Sequence, residues 1–443
     1  MPDVTPDPAP PAFAPPDAAV AAAGSTATAR SPGDVRPRVG ARYITLLVLA
    51  QFGLFMAIVA SMGYSLSVRV AQLAPGNQGV LGFVVGAGSL ILVFTGPILG
   101  VLSDRTRSRL GRRRPWLPGL IAVGLAGSVI VALAPGVPLL VLGWVIVEIG
   151  FGSAMAVLTN SMADRLPASQ RGRVAGLVGV AQMGASILGV AVASVFASSN
   201  LLLFLVPAGV GALLALLFFA LVDERDSRDL PFDDRVTARL ILSKYVFPVR
   251  RYPDFSWNWL GRFLFNFGLT LATTFTTFFL ASKLGVPVTE IGGLVATVGA
   301  ISIVATMGGA GISGYLSDKL RRRRAFVFCA GVLFVLGSVT MALAPDLIVL
   351  MAGSFLANLG LGVFSAVDQA LVLDVLPERD TEAGRFNAIN QFSTTLPQAL
   401  APFAAPLVLA VAGGGNYPLL YVVSGVFALA GGVVILLRVK SVR

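Results

Sequence analysis

The ionisable side chains of this 443-residue chain are few, and their placement carries the chemistry. Glu148 and Asp368 interrupt long apolar runs, whereas Asp104, Asp164, Asp318 and Asp374 end such runs. Glu148 stands ten residues beyond Pro138. On a helix rising about 1.5 Å per residue it reaches about 15 Å into a bilayer, close to its middle. An ionisable group at that depth is costly and normally serves the passage of something. A carboxyl there can take up and release a proton as its surroundings change between wet and dry. Glu148 is therefore the candidate carrier of a coupling proton; the competing reading is a structural pair with a neighbouring helix. Asp368 lies about 30 Å along its own run, near its far mouth. With Gln369 it reads substrate hydroxyls, gates an exit, or closes a helix end.

A polar solute needs several donors and acceptors and an apolar or aromatic platform. Gln51, Asn160, Gln182, Asn266, Asn358 and Gln391 fall within apolar runs and are candidates for a cavity wall. Tyr64, Trp144 and Trp259 are candidates for the platform, against a plain role in packing or an interfacial belt. Arg262, early in its run, is a candidate cavity cation; Arg69 either faces the cavity or snorkels to the outer interface. Histidine is absent, and the single cysteine, Cys329, has no partner, so imidazole chemistry, a disulfide framework and a thiolate metal site are excluded. We expect no cofactor and no metal.

The elements that position these groups follow from hydropathy. Hydrophobic residues make up 56% of the chain and charged ones 12%, about half the charge of a soluble domain. Mean hydropathy is +0.83. Twelve apolar runs are each long enough to span: 43–70, 80–102, 116–134, 138–163, 174–198, 201–222, 256–281, 288–316, 325–344, 347–376, 386–411 and 417–438. Residues 100–116 hold six arginines (Arg105, Arg107, Arg109, Arg112, Arg113 and Arg114) between two such runs. An arginine at a helix centre costs about 2.5–3.5 kcal/mol on insertion scales, so this loop fixes its side as cytoplasmic. Loops after the other even-numbered runs carry Arg165, Arg171 and Arg173, then Lys319 and Arg321–Arg324, then Arg379 and Arg385. The odd-numbered loops are short and nearly uncharged, with Lys283, Glu290 and Asp346 the exceptions. Both termini are expected in the cytoplasm. The net charge of +11 belongs to this positive-inside bias rather than to nucleic-acid binding.

Residues 1–41 are rich in Pro and Ala and read as a disordered tail. The chain then divides into a six-helix bundle at 42–222, a charged linker at 223–255 and a second bundle at 256–443. Residues 236–247 have the pattern of a surface-lying amphipathic helix, against a plain solvated tether. The two bundles repeat. Leu102-Ser103-Asp104-Arg105 returns as Leu316-Ser317-Asp318-Lys319, and the fourth runs align without a gap from Ala132 against Ala342 to Pro167 against Pro377. Glu148 then falls against Asn358. Two parallel six-helix repeats imply halves that rock around a midplane site to give alternating access. At the basic end, Asp104, an arginine of Arg112, Arg113 and Arg114, and Asp164 share one depth and are expected to form a charge cluster. Its expected role is a latch on the outward-facing state. Asp318, Arg322 or Arg323, and Asp374 are its expected copy; in both, topology alone is the competing reading.

Gly100-x-x-Ser103-Asp104-Arg105 with Gly111-Arg112-Arg113-Arg114-Pro115 resembles the loop motif of the major facilitator superfamily. The longer form, Ser103 to Trp116, is similar to that of plant sucrose transporters, their relatives and, more distantly, the glycoside–pentoside–hexuronide cation symporters. Residues 390–398, NQFSTTLPQ, resemble the eleventh span of sucrose transporters. Glu148 and Asp164 match the spacing of two acids on that family's fourth span. The resemblance, over 42–440, implies an all-α fold of twelve spans and a proton-coupling acid at Glu148. It also implies an arginine on the fifth span to pair with that acid, where this chain has only Arg173, at the run's end.

Three classes compete. The first is a secondary symporter of a sugar or glycoside, coupled to protons or sodium ions. The second is an exporter of a lipophilic drug or metabolite, and the third a membrane enzyme or receptor. No nucleophile–base constellation is present, and no GxxxxGK[ST] loop either, which disfavours an enzyme or ATP-driven transport. The expectation is a monomeric multi-pass protein of the inner membrane, working by proton-coupled symport of a sugar or glycoside, with the exporter as alternative.

Overall fold

The computed structural model describes residues 37–224, 226–228, 249–377, 383–411 and 415–442. The tail up to residue 36, the helix expected at 236–247 and Arg379 lie outside the described residues, as does the side chain of Arg385. Among the described residues twelve helical segments follow one another. They are α1 (Ala41–Leu73), α2 (Val80–Asp104), α3 (Trp116–Leu133), α4 (Val137–Arg165), α5 (Ala168–Val195) and α6 (Asn200–Leu221). Then come α7 (Pro253–Thr274 with Thr276–Leu284), α8 (Gly292–Leu320), α9 (Arg323–Leu343), α10 (Leu347–Val375), α11 (Ala383–Leu409) and α12 (Tyr417–Arg438). Eleven are long and apolar enough to cross a membrane; α7 makes the twelfth if its two parts, bent by 48°, form one span. Among the described residues there is no strand.

The repeat seen in the sequence is a repeat of packing. Helix α1 packs on α5 and α6, α3 on α4 and α6, and α2 on α4; α7 packs on α11 and α12, α9 on α10 and α12, and α8 on α10. Glycine makes the tightest of these approaches possible. On α3 and α4, Gly127 and Gly143 meet through backbone, and their aligned residues Gly337 and Gly353 do the same on α9 and α10. A methyl at any of the four would strike the opposing helix, the packing device of bilayers, where apolar burial gives no preference for helix over lipid.

Between the halves the main contacts are α2 with α11 and α5 with α8. They concentrate at the weakly charged side. There Gly82 and Gly86 seat Pro402 and Phe403, Gly292 lies against Ser194 and Tyr64, and the Phe83 and Phe403 rings meet edge to face at 6.0 Å. Toward the arginine-rich side the same helices part. A side chain grown at Gly96 or Gly100 on α2, Gly176 on α5, or Gly311 or Gly314 on α8 would meet nothing. Among the described residues the halves are therefore joined at the weakly charged side and parted at the basic side.

Candidate functional site

Glu148 sits where α4 changes its winding. Residues Glu148–Gly152 form a π-helical turn, a departure often found at functional positions. The side chain is buried, with its stem and the Trp144 ring against Gly88 of α2 and its carboxylate beside Gly152 and Leu92. Glycine at 88 is what lets the Trp144 ring and the Glu148 stem lie against α2. Among the described residues Glu148 has no hydrogen-bond or ion-pair partner, so the expected structural pair does not form. The arginine implied on α5 is not there either: α5 carries Arg171 and Arg173 only in its first turns.

The second half holds a different arrangement. Asp368 of α10 is 2% exposed and pairs with Arg262 of α7, whose Nε donates to Thr394 Oγ1 of α11 at 3.3 Å. The other Asp368 oxygen has no partner among the described residues. Asn266, one turn along α7, donates to the Arg262 carbonyl at 2.8 Å. Asn358, aligned with Glu148, lies in unbroken helix and borders a cavity of about 390 Å³ reached by α1, α5, α7, α8, α9, α10 and α12. Ser186, Ser302, Thr306 and Tyr421 add polar groups to a wall that is otherwise mostly apolar. One face of α10 carries Asn358, Ser365 and Gln369, with Ser365 and Gln369 exposed.

The remaining candidates divide. Gln369 and Gln391 are exposed, and Asn160 and Gln182 half-buried. Gln51 is buried and donates to Thr159 Oγ1 at 3.0 Å, so the exposed Thr159 stands between it and open space. Two platform candidates need correction. Tyr64 is fully buried and donates to the Thr289 carbonyl at 2.9 Å across the closed side, and Trp144 is sealed against Gly88. Their size suited a sugar face, but the closest helix crossings claimed them. Trp259 donates to the Ile389 carbonyl at 2.9 Å and stacks on Phe263. Arg69 does not border the cavity; it is buried and turned toward the weakly charged side, the direction of the expected outer interface. It donates to the Ala134 carbonyl at the end of α3, as Lys283 does to the Ala342 carbonyl at the end of α9, where a cation suits the unpaired carbonyls of a helix C-terminus.

At the basic side the charged groups of both expected clusters pair within their halves. Arg113, 5% exposed, pairs with Asp104 and, at 3.0 Å, with Asp164; Arg112 reaches Asp164 at 2.8 Å. Arg114 donates to the Phe219 carbonyl at 2.5 Å, at the end of α6. In the second half Arg323 pairs with Asp318 at 3.1 Å and with Asp374, while Arg324 caps α12 at Val439. Arg322 is not the partner. Arg323 falls against Arg113 in the gap-free alignment of the fourth runs carried back to these loops, and it meets both aspartates as Arg113 does. Among the described residues no group of His, Cys, Asp or Glu could hold a metal ion.

The Major Facilitator Superfamily profile matches residues 43–313 and again 298–443. The chain belongs to this superfamily. Its architecture, which pairs α2 with α11 and α5 with α8 across two six-helix halves, accords with that match. Among solved structures, a D-xylose-proton symporter aligns with 91% of this facilitator and 99% of its own chain, at TM-score 0.68 and 18% identity, a likeness of fold. Two curated relatives match short stretches. The arabinose-proton symporter of Bacillus subtilis is 29% identical over 109 residues, 25% of this chain and 22% of its own. Inositol transporter 4 of Arabidopsis thaliana is 29% identical over 86 residues, 19% of this chain and 15% of its own. The facilitator thus spans less than a quarter of either relative's length. The protein is a transporter, not an enzyme.

Proposed function

We propose that this facilitator carries a sugar or glycoside by proton-coupled symport, with residues 42–222 and 256–443 as the halves that rock. The observation that carries the reading is the unpaired, buried carboxyl of Glu148 in the π turn of α4. Ionising an unpartnered carboxyl in apolar surroundings is expensive. Such a group keeps its proton while sealed against Gly88 and Leu92 and releases it when rocking admits water. The polar face of α10 (Asn358, Ser365 and Gln369) and the Arg262–Asp368 pair supply donors and acceptors for hydroxyls, joined by Gln51, Asn160, Gln182, Asn266 and Gln391 as the halves move. The names of the arabinose-proton and D-xylose-proton symporters support the substrate class. The loop and eleventh-span sequences support the sucrose and glycoside–pentoside–hexuronide branch.

Placing the arginine-rich loops in the cytoplasm makes this an inward-open conformation of a multi-pass inner-membrane protein with cytoplasmic termini, acting as a monomer. The Arg112–Arg114 and Arg322–Arg323 clusters, with Asp104, Asp164, Asp318 and Asp374, then stand ready to meet across the closing inner side. The test is uptake of labelled mono- and disaccharides into proteoliposomes, with and without an inward pH gradient. Gradient-stimulated uptake of at least one sugar is expected; no uptake of any sugar by folded, inserted protein would reject the reading. The 390 Å³ cavity, mostly apolar in lining, favours a second reading, export of a lipophilic compound, which predicts gradient-driven extrusion of an amphiphilic dye instead.

A further inference from the structure

The two basic clusters differ in one respect that the repeat makes visible. In the first half, α6 ends at its C-cap Val222 and is followed by Asp223 and Glu224. Glu224 turns back so that one carboxylate oxygen accepts the backbone N–H groups of Arg113 and Arg114, at 3.0 and 2.9 Å. Asp223 pairs with Arg114 at 3.3 Å. The chain has thus set its own anion on the first turn leading into α3, where unpaired N–H groups and the helix dipole favour negative charge. The space remaining beside it is about 10 Å³.

In the second half, α12 ends at its C-cap Val439 in a similar extended conformation. Arg324 caps it as Arg114 caps α6. The two residues that follow are Lys440 and Ser441. Where the first half places two carboxylates, the second places a cation and a hydroxyl, and the carboxylate beside them, Asp254 of α7, accepts the Lys440 and Ser441 backbone N–H groups rather than those that open α9. The result is an open recess of about 1190 Å³ bordered by Arg321–Arg324, Asp318, Asp374 and Ser441. Among the described residues of this lining, four arginines against two aspartates leave a formal charge of +2. Arg323 satisfies both aspartates, while the exposed Arg321 and Arg322 have no side-chain partner among the described residues. Beside the recess, at the ends of membrane-spanning helices, Leu316, Leu320 and Leu437 are exposed at 38%, 55% and 65%.

We propose that this recess binds the headgroup of an anionic phospholipid, with the phosphate taking the place that the Glu224 carboxylate takes in the first half. The Arg321 and Arg322 guanidiniums and the backbone N–H groups that open α9 meet the phosphate oxygens, since a guanidinium fork fits phosphate in a bidentate way. The acyl chains run along Leu316, Leu320 and Leu437, which ties the ligand to the bilayer and distinguishes it from a soluble phosphate. A zwitterionic headgroup is disfavoured because its ammonium would face a lining already positive. The arrangement is a basic pocket between helix ends on the cytoplasm-facing side of the proposed topology, the kind of place where anionic lipids are held.

The test uses the full chain, purified and delipidated in detergent, titrated with phosphatidylglycerol or phosphatidylethanolamine and followed by native mass spectrometry. Native protein is expected to retain phosphatidylglycerol at least tenfold more tightly than phosphatidylethanolamine. The double variant R321Q/R322Q is expected to lose that preference. Ser441→Glu, which supplies an internal carboxylate where Glu224 has one, is expected to weaken retention at least tenfold while keeping all four arginines. R38Q/R42Q, which removes two exposed cations on the same side, is expected to bind as native protein does. Undiminished phosphatidylglycerol binding by R321Q/R322Q would overturn the proposal. So would equal retention of both lipids, or displacement of phosphatidylglycerol by equimolar inorganic phosphate, which would make the site one for a soluble anion.

Discussion

The Arg262–Asp368 pair allows a prediction with a magnitude. Both side chains are withdrawn from solvent, at 12% and 3% exposure. Asp368→Asn keeps the shape but leaves the Arg262 charge facing an amide. Removing one member of a buried pair costs about 3–5 kcal/mol, because the survivor stays desolvated without compensation. At about 1.4 kcal/mol per decade, the folded population should fall roughly two to three and a half orders of magnitude relative to the unfolded. Arg262→Met should cost a similar amount by stranding the carboxylate. The double variant, Arg262→Met with Asp368→Leu, should recover most of the loss, since an apolar replacement of a whole buried pair is often neutral or stabilising. The assay is denaturant unfolding in detergent by circular dichroism, read as a double-mutant cycle. A cost below about 1 kcal/mol for Asp368→Asn, the range of a solvated surface pair, would refute the reasoning. So would a double variant whose loss equals the sum of the single losses.

Three further outcomes can be checked with the same preparations. Gly88→Val should insert but melt lower by about 1–3 kcal/mol, the usual cost of overpacking, because its methyls meet the Trp144 ring and the Glu148 stem; a native melting curve would show that α2 and α4 are farther apart. Arg113→Lys should destabilise more than the same change at the exposed Arg42, since an ammonium cannot serve Asp104, Asp164 and Ser103 together as the Arg113 fork does; equal melting temperatures would contradict this. Tyr64→Phe removes the hydrogen bond to Thr289 that joins the halves on the closed side, a loss of about 1 kcal/mol. It should raise several-fold the labelling of a cysteine placed at position 194, which lies against Gly292 beside Tyr64, in a Cys329→Ser background, and unchanged labelling would deny the contact a role in closure.

Much of this fold was legible because bilayers restrict the choices. Long apolar runs must be helices, arginine blocks must stay outside the bilayer, and a repeated Asp–Arg pattern implied a repeated cluster. Arg113 and Arg323 emerged from that pattern, although only the observed ion pairs with Asp318 and Asp374 settled Arg323 over Arg322. What sequence alone concealed were the partners across helices. Nothing near Arg262 announces Asp368 or Thr394, which lie more than a hundred residues away. Trp144 and Tyr64 looked like platform residues because aromatic size does not say which helix face is sealed. The π turn at Glu148 had only a faint signal, the glycines Gly150 and Gly152 that follow it. Glu224 passed as one more charge in a mixed linker, yet it sits on the N–H groups of Arg113 and Arg114.

The central claim is that Glu148 carries the coupling proton, and the most direct test separates coupling from movement of the solute. Native protein and Glu148→Gln are reconstituted side by side and given the labelled sugar that the uptake screen identifies. Uptake is measured under an inward pH gradient, and counterflow exchange with no gradient. The account predicts that Glu148→Gln loses gradient-driven accumulation and retains exchange, because a neutral amide mimics the protonated carboxyl and lets the halves rock without carrying a proton. Gradient-driven accumulation at native rates in Glu148→Gln would contradict it and move the coupling site elsewhere.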